Sequence, residues 1–375
     1  MTQLPDPSEE ALAHSERMKE RVREAVMDAG GWIPFSRYMD LVLYSPGLGY
    51  YSAGSAKIGA EGDFVTAPEI SSLFGQTLAR FASAWFVDNP HTDLLELGAG
   101  TGKLAFDFLS SEAPSPGKYF ILEPSADLRE KQRERLAGFG EKVEWLDSLP
   151  ERFEGVVIAN EVLDAIPFSL IHWKSSGIFE RGVKLEGEGF AWEDRPLEAG
   201  PLLDAASAID VPSGYISEIC PAAGSLVASL AAILQRGLML FIDYGFGRAE
   251  YYHPDRNRGT MMCHYRHHAH DDPFFLPGLQ DITAHVDFSA IAQAGVDAGL
   301  DFIGYNSQAR YLIDCGIIGL LERISPEDPL RYLPMAGELQ KLVSPAEMGE
   351  LFKVILFGKD ATSGCFHRGD RSRSL

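Results

Sequence analysis

Residues Asp93 to Leu104 read DLLELGAGTGKL, and this stretch decides the fold. Leu94-Leu95-Glu96-Leu97 is an apolar run broken by one acid, which suits a strand buried on both faces of a parallel sheet. Gly98, Gly100 and Gly102 then alternate with the small residues Ala99 and Thr101, and Lys103 to Ser110 continue with a helical pattern. Strand, glycine turn and helix form a nucleoside-binding unit: glycines let backbone approach a ligand, and the amides of the next helix face it. A phosphate-cradling P-loop needs a glycine five residues before its Gly-Lys pair and a hydroxyl residue after it, but Leu97 and Leu104 stand there. A dinucleotide turn needs glycine at its sixth position, which is Lys103. Glu96 sets a carboxylate at the end of the strand, repelling a pyrophosphate and attracting a cationic amino acid or sulfonium. The spacing favours S-adenosylmethionine over NAD.

The chain downstream extends the pattern. Lys118 to Leu122 predicts a second strand ending at Glu123, 21 residues after Gly102, where an acid accepts ribose hydroxyls of either cofactor. Lys142 to Trp145 predicts a third strand, with Asp147 beyond it to meet the adenine amino group, and Gly155 to Ala159 a fourth, ending in Asn160-Glu161 at the cofactor's edge. Gly237 to Asp243 reads as the fifth. Asp301 to Asn306 and Leu351 to Phe357 supply the last two, so the expected fold is α/β, a seven-stranded Rossmann-like sheet with one antiparallel strand.

Before the glycine turn, helices are expected over about 8 to 29 and 69 to 88, with an aromatic segment at Pro34 to Gly54 that either packs over the sheet or forms a lid. Between these lies EGDFVTAPE, residues 61 to 69, a loop carrying three acids. From Pro167 to about Pro196 the alternation predicts antiparallel hairpins, and Tyr215 to Gln235 a helix. The resulting organisation is an N-terminal helical and lid region to residue 90, a core over 91–166 and 211–360, a β insertion for substrate over 167–210, and a flexible tail over 361–375.

With net charge −21 the chain offers no broad basic face for nucleic acid, whereas a cationic substrate is attracted. Its four cysteines include no CxxC pair, no apolar run reaches the ~20 residues of a bilayer span, and the acidic start suits neither a signal nor a transit peptide. These features predict a bacterial cytoplasmic protein. Cys263, His264, His267, His268 and His270 are dense, but their spacing fits no tetrahedral zinc pattern, and no metal is expected.

Taken together, the Pro34 to Tyr51 segment, GDFVTAPEIS, ELGAGTG, NEVLDAIP, FIDYG and DITAHVDF resemble the MidA family of class I methyltransferases. The resemblance runs from about residue 15 to 360. Two motifs depart from the family: GAGTG stands for its GPGRG or GPGTG, and NEVLDAIP for NEFFDALP, with glycines and polar members kept. The resemblance implies a protein substrate bearing arginine, since mitochondrial members are implicated in complex I assembly through arginine dimethylation on a core subunit. Glu161 and Asp164 are three residues apart, so a helical turn would set both carboxylates on one face to clamp a guanidinium, with Asp63 as a third catalytic candidate. Tyr51, Asp243, Asp281 and Asp287 are expected along the substrate path; for Asp287 a helix cap is an equal alternative. A non-catalytic assembly factor that keeps the cofactor fold is the competing function, and the oligomeric state, a homodimer included, stays open on these residues.

Overall fold

The structure, a computed structural model, describes residues 4–52, 65–362 and 370–375. Its contacts divide the chain into two compact units, each interrupted in sequence.

One unit holds Val65–Leu163, Gly224–Arg248 and the chain from Val286 onward. Its strands are β1 (Asp93–Leu97), β2 (Tyr119–Leu122), β3 (Val143–Leu146), β4 (Phe153–Asn160), β5 (Leu234–Phe246), β6 (Asp301–Ser307) and β7 (Phe352–Lys359). They lie in the order β6-β7-β5-β4-β1-β2-β3, with the two-residue strand Val286–Asp287 parallel to the end of β5. Only β7 runs antiparallel to its neighbours β5 and β6. The sheet is thus seven-stranded of the expected kind. Its order reverses between β1 and β4, which places a crevice at their carboxyl ends. Val156, Val157, Ile158 and Ala159 are all buried, as a central strand covered on both faces requires.

The helix expected over 69–88 is interrupted. Ser71 is extended (ψ 138°) and its hydroxyl accepts the Leu73 N–H, so a short turn Ala67–Ile70 precedes the helix Ser72–Asp88. That helix buries Leu73, Phe74, Leu78, Phe81 and Trp85 in the main core. Gly75 permits its close approach to helix Lys103–Leu109: a Cβ there would lie 2.7 Å from Asp107 Cβ.

The other unit combines residues 4–52 with Asp164–Ala223 and Ala249–His285. Its five-stranded antiparallel sheet contains Trp32–Pro34, Ser169–Lys174, Gly177–Glu186, Gly189–Pro196 and Tyr215–Ile219. Met18, Val22 and Val26 of helix Glu9–Asp28 and Phe35, Tyr38 and Val42 of helix Phe35–Tyr44 pack with Phe168, Leu170 and Val183 of the sheet segment. Residues 34–44 are therefore a packing element of this unit. The β insertion is larger than 167–210, because the N-terminal strand pairs directly with Gly182–Lys184 and because residues 249–285 join it instead of the core.

Two further expectations are corrected. Tyr215–Ile219 is a strand paired with Ser169–Trp173, and the helix begins at Pro221. Proline suits a first helical position and drives the residue before it out of the helical region, so a helix could not have run through Cys220. Asp370 to Leu375 do not hang free: Arg371 N–H donates to Tyr305 O at 2.8 Å and Tyr305 N–H to Asp370 Oδ1 at 3.0 Å, so the terminus flanks edge strand β6.

Candidate active site

Gly98, Gly100 and Gly102 have φ of +60°, +54° and +78°, all in the left-handed region. Side chains would also collide: a Cβ on Gly98 would sit 3.0 Å from Val162 Cγ2, and one on Gly102 3.2 Å from Gln132 Cγ. The turn therefore needs glycine for its conformation and for its neighbours.

Gln132, which the sequence did not single out, organises this turn. Its Nε2 donates to Gly100 O at 2.8 Å and to Glu123 Oε2 at 3.3 Å, while its Oε1 accepts the Trp145 indole N–H at 2.9 Å. One buried amide thus ties the ends of β1, β2 and β3. Glu123 also accepts the Ser125 N–H at 3.0 Å; burial pushes its carboxyl up, and these hydrogen bonds pull it back. Each oxygen keeps lone-pair capacity for a ribose hydroxyl. Arg129 is a second residue missed: Nε donates to Glu123 O, and the guanidinium reaches Leu146 O and Asp147. Asp147 is 93% exposed and paired with Arg129 at 2.6 Å, so it stands at the rim. Only the i, i+3 spacing of Arg129 and Gln132 on a helix after Glu123 could have signalled them.

Glu96 departs from its expected electrostatic part. It is 2% exposed, accepts the Tyr119 hydroxyl at 2.7 Å, and burial raises its carboxyl from 4.5 to about 8, with Glu123 adding to the rise. At neutral pH it is mostly protonated, so it offers a hydrogen-bonding group more than a negative charge. Thr101 and Ala99 hold the turn: Thr101 bonds Glu69 and Arg135, and Ala99 is buried. The Thr101 contact and the Ala67 N–H, which donates to Glu161 Oε1 at 3.2 Å, bring the end of the acid-rich loop to the glycine turn and to β4. Asp63 lies outside the described residues.

The expected Glu161–Asp164 clamp on a helical face does not form, because 161–167 is not helical. Glu161 has φ +54° and its N–H donates to Ile242 O at 2.9 Å; its carboxylate also accepts the Asn160 amide at 3.0 Å. Asp164 belongs to the other unit, where its carbonyl accepts the Ala284 N–H. Asp243 is fully buried and accepts the Leu163 and Tyr244 N–H groups at 2.9 Å each, shaping the loop after β4 instead of facing a substrate path. Asp287 caps helix Phe288–Asp297 through Ser289 and Ala290, the alternative role open to it. Tyr51 and Asp281 do meet: the hydroxyl donates to Asp281 Oδ1 at 2.9 Å, and Tyr51 stacks on Tyr44 at 5.5 Å. The histidine segment is a hairpin, Met262–Tyr265 against His268–His270, turned by Arg266 and His267 at positive φ. Among the described residues no three His, Cys, Asp or Glu side chains converge as metal ligands, and no helix is long and apolar enough to cross a membrane.

These residues fit an adenosyl cofactor: a turn with glycine at three alternate positions at the switch point, the Glu123 carboxylate beside it, and a buried Asn160 Oδ1 with no donor among the described residues. Comparison with known proteins agrees. A Burkholderia thailandensis protein whose crystal structure contains S-adenosyl-homocysteine superimposes with a TM-score of 0.94 at 49% identity, over the full length of both chains. The zebrafish (Danio rerio) protein arginine methyltransferase NDUFAF7, mitochondrial, is 29% identical over 87% of this chain and 83% of its own. The human (Homo sapiens) counterpart is 29% identical over 86% and 79%. S-adenosylmethionine, and not NAD, is the cofactor. Residues 74–306 match a methyltransferase family along most of the sheet, and the chain belongs to that family, the S-adenosyl-L-methionine-dependent methyltransferases.

Proposed function

We propose that this enzyme methylates a side-chain nitrogen of arginine in a protein substrate, a respiratory complex I subunit being the candidate that the resemblance to the MidA family implies. The observation that carries the reading is the similarity to arginine methyltransferases that runs through both units, not only through the cofactor sheet. The net charge of −21 supports it, since it draws a cationic segment toward the protein.

When bound, S-adenosylmethionine supplies a methyl group made electrophilic by its sulfonium. The glycine turn, Glu123 and Gln132 fix the nucleoside, and the protein's remaining task is alignment of the attacking nitrogen with the methyl carbon. An arginine side chain has a pKa of about 12.5 to 13.8, so its nitrogen needs a hydrogen-bond acceptor that orients it and takes a proton during or after transfer. Within the antiparallel unit, Asp164 and Asp281 are both buried, and Tyr51 donates to Asp281.

The test is incubation of the purified enzyme with methyl-tritiated S-adenosylmethionine and cell extract, then acid hydrolysis of labelled protein and chromatography of the amino acids. Label in methylarginine is the expected result. Label in lysine, in another residue or only in small molecules overturns the arginine assignment while leaving the methyltransferase family untouched.

A further inference from the structure

In the antiparallel sheet, strand Gly177–Glu186 lies between Ser169–Lys174 and Gly189–Pro196. One face of these strands packs on the first two helices through Leu170 and Val183. By register and alternation the same face continues past them with His172, Lys174, Phe179, Arg181 and Asp194.

One acid serves three basic groups there. Asp194 Oδ2 lies 2.7 Å from His172 Nδ1, 2.9 Å from Lys174 Nζ and 3.2 Å from Arg181 Nη2, and Oδ1 accepts from Arg181 Nε at 2.8 Å. Burial pushes this carboxyl up, but the bonds from Arg181, Lys174 and His172 outweigh burial and hold it well below the usual carboxylate range. Its lone pairs are taken, whereas the cations have donors to spare. Lys174 and Arg181 bring two positive charges to one negative, and neither meets a second acid among the described residues. Their heads are held in place by aromatic faces, Lys174 Nζ at 4.4 Å from the Phe179 ring centre and the Arg181 guanidinium at 5.7 Å from that of Trp192.

The surroundings do not restore the balance. Glu218, also on this face, is buried and accepts the Thr260 and Met261 N–H groups at 2.8 Å each. The Ile216 N–H, opposite His172, donates to Asn257 O at 3.0 Å, which brings the loop of Arg258 to the same end of the sheet. Arg258 is exposed and has no acid partner among the described residues, while Glu250 and Asp255 are taken by Arg256 and His253. A surplus of cations at one place is the reverse of what a net charge of −21 would give at random. Three strands about 4.8 Å apart make a patch roughly 10 Å wide. That matches two or three carboxylates of an extended segment, and a long polyanion such as nucleic acid would meet the repulsion of the rest of the surface.

We propose that this end of the antiparallel sheet is a docking surface for a short run of acidic side chains on a partner protein, whose carboxylates take the spare donors of Lys174, Arg181 and Arg258. The surface lies within one unit and does not depend on which residue the enzyme methylates.

Fluorescence anisotropy of fluorescein-labelled hexaglutamate at about 50 mM salt tests it. Saturable binding is expected in spite of the like net charges, weakening as salt is added. An exposed ion pair is worth up to roughly fivefold in affinity, so Lys174→Gln combined with Arg258→Gln should weaken binding about tenfold, and Lys174→Arg should stay within about twofold of the wild type. These variants leave Arg181 and His172 on Asp194; Arg258→Gln alone, with a loss of about threefold, gives a second reading should the double variant not fold. Arg323→Gln, which removes an exposed charge from the other unit, should change nothing. No binding by the wild type, undiminished binding by the double variant, an equal loss in Arg323→Gln, or tighter binding of labelled hexathymidylate at the same salt overturns the proposal.

Discussion

Replacing Glu96 with glutamine should flatten part of the protein's stability profile against pH. The native carboxyl keeps its proton up to about 8, because burial disfavours its charge more than the Tyr119 hydroxyl favours it, whereas the unfolded chain releases that proton above 4.5. Between those values the native state binds more protons than the unfolded state, so stability falls as pH rises, by about 1.36 kcal/mol per pH unit. The contribution is fully present below 4.5, is lost through the window up to about 8 and is constant beyond it. Over the whole interval the loss approaches about 5 kcal/mol as a ceiling, a large share of the ~5–15 kcal/mol typical of a domain. Glutamine can still accept from Tyr119 and carries no charge at any of these pH values. Urea denaturation of wild type and Glu96→Gln in parallel, at about pH 5, 6.5 and 8.5, isolates this residue from the other buried acids. The variant should gain several kcal/mol on the wild type between the first and last conditions. A difference that stays constant within ~0.5 kcal/mol would show that Glu96 ionises normally, and the electrostatic account of this strand end would fall.

Gly102→Ala must hold a Cβ at φ +78° and 3.2 Å from Gln132; at about 1–2 kcal/mol for the left-handed backbone alone, S-adenosyl-homocysteine affinity should fall by roughly tenfold, read by calorimetry. Asp287→Ala removes a helix cap and should lower stability by about 0.5–2 kcal/mol without changing methyl-transfer rate once folded, a rate loss beyond about fivefold returning it to the substrate path. Tyr51→Phe leaves buried Asp281 without one of its donors and should cost about 1–3 kcal/mol in thermal or chemical denaturation; unchanged stability would mean that the hydrogen bond is not formed.

The parallel sheet is legible in the sequence because most of its strands carry a short apolar run, closed at β1, β2, β5 and β7 by Gly98, Glu123, Asp243 and Gly358, and the glycine turn dictates the path of the chain beyond β1. The candidate site is legible at its glycines and at Glu123, whose roles depend on backbone and strand position. Gln132 and Arg129 are not, because they act through atoms of β1 to β3 that are distant in sequence. The Glu161–Asp164 pair shows the opposite failure. Spacing alone assumes a helix, and the positive φ of Glu161 is set by tertiary bonds to Ile242 and Ala67 that no local pattern encodes. Tyr215–Ile219 reads as helix because five residues are too few for alternation to declare itself; only Pro221 marks where the helix can begin.

The pairing of Trp32–Pro34 with Gly182–Lys184 also sets a schedule for synthesis. Ile33 leaves the ribosome well before Val183, its partner. At ~5–20 residues per second the N-terminal segment waits on the order of ten seconds or more with Phe35, Tyr38 and Met39 unburied, while the first strands of the parallel sheet are already emerging. The antiparallel unit can close only after His285 is made, so it forms late and around a chain whose first helices have been exposed longest. Truncations that remove 164–285 should therefore release a sticky N-terminus, not a free-standing lid.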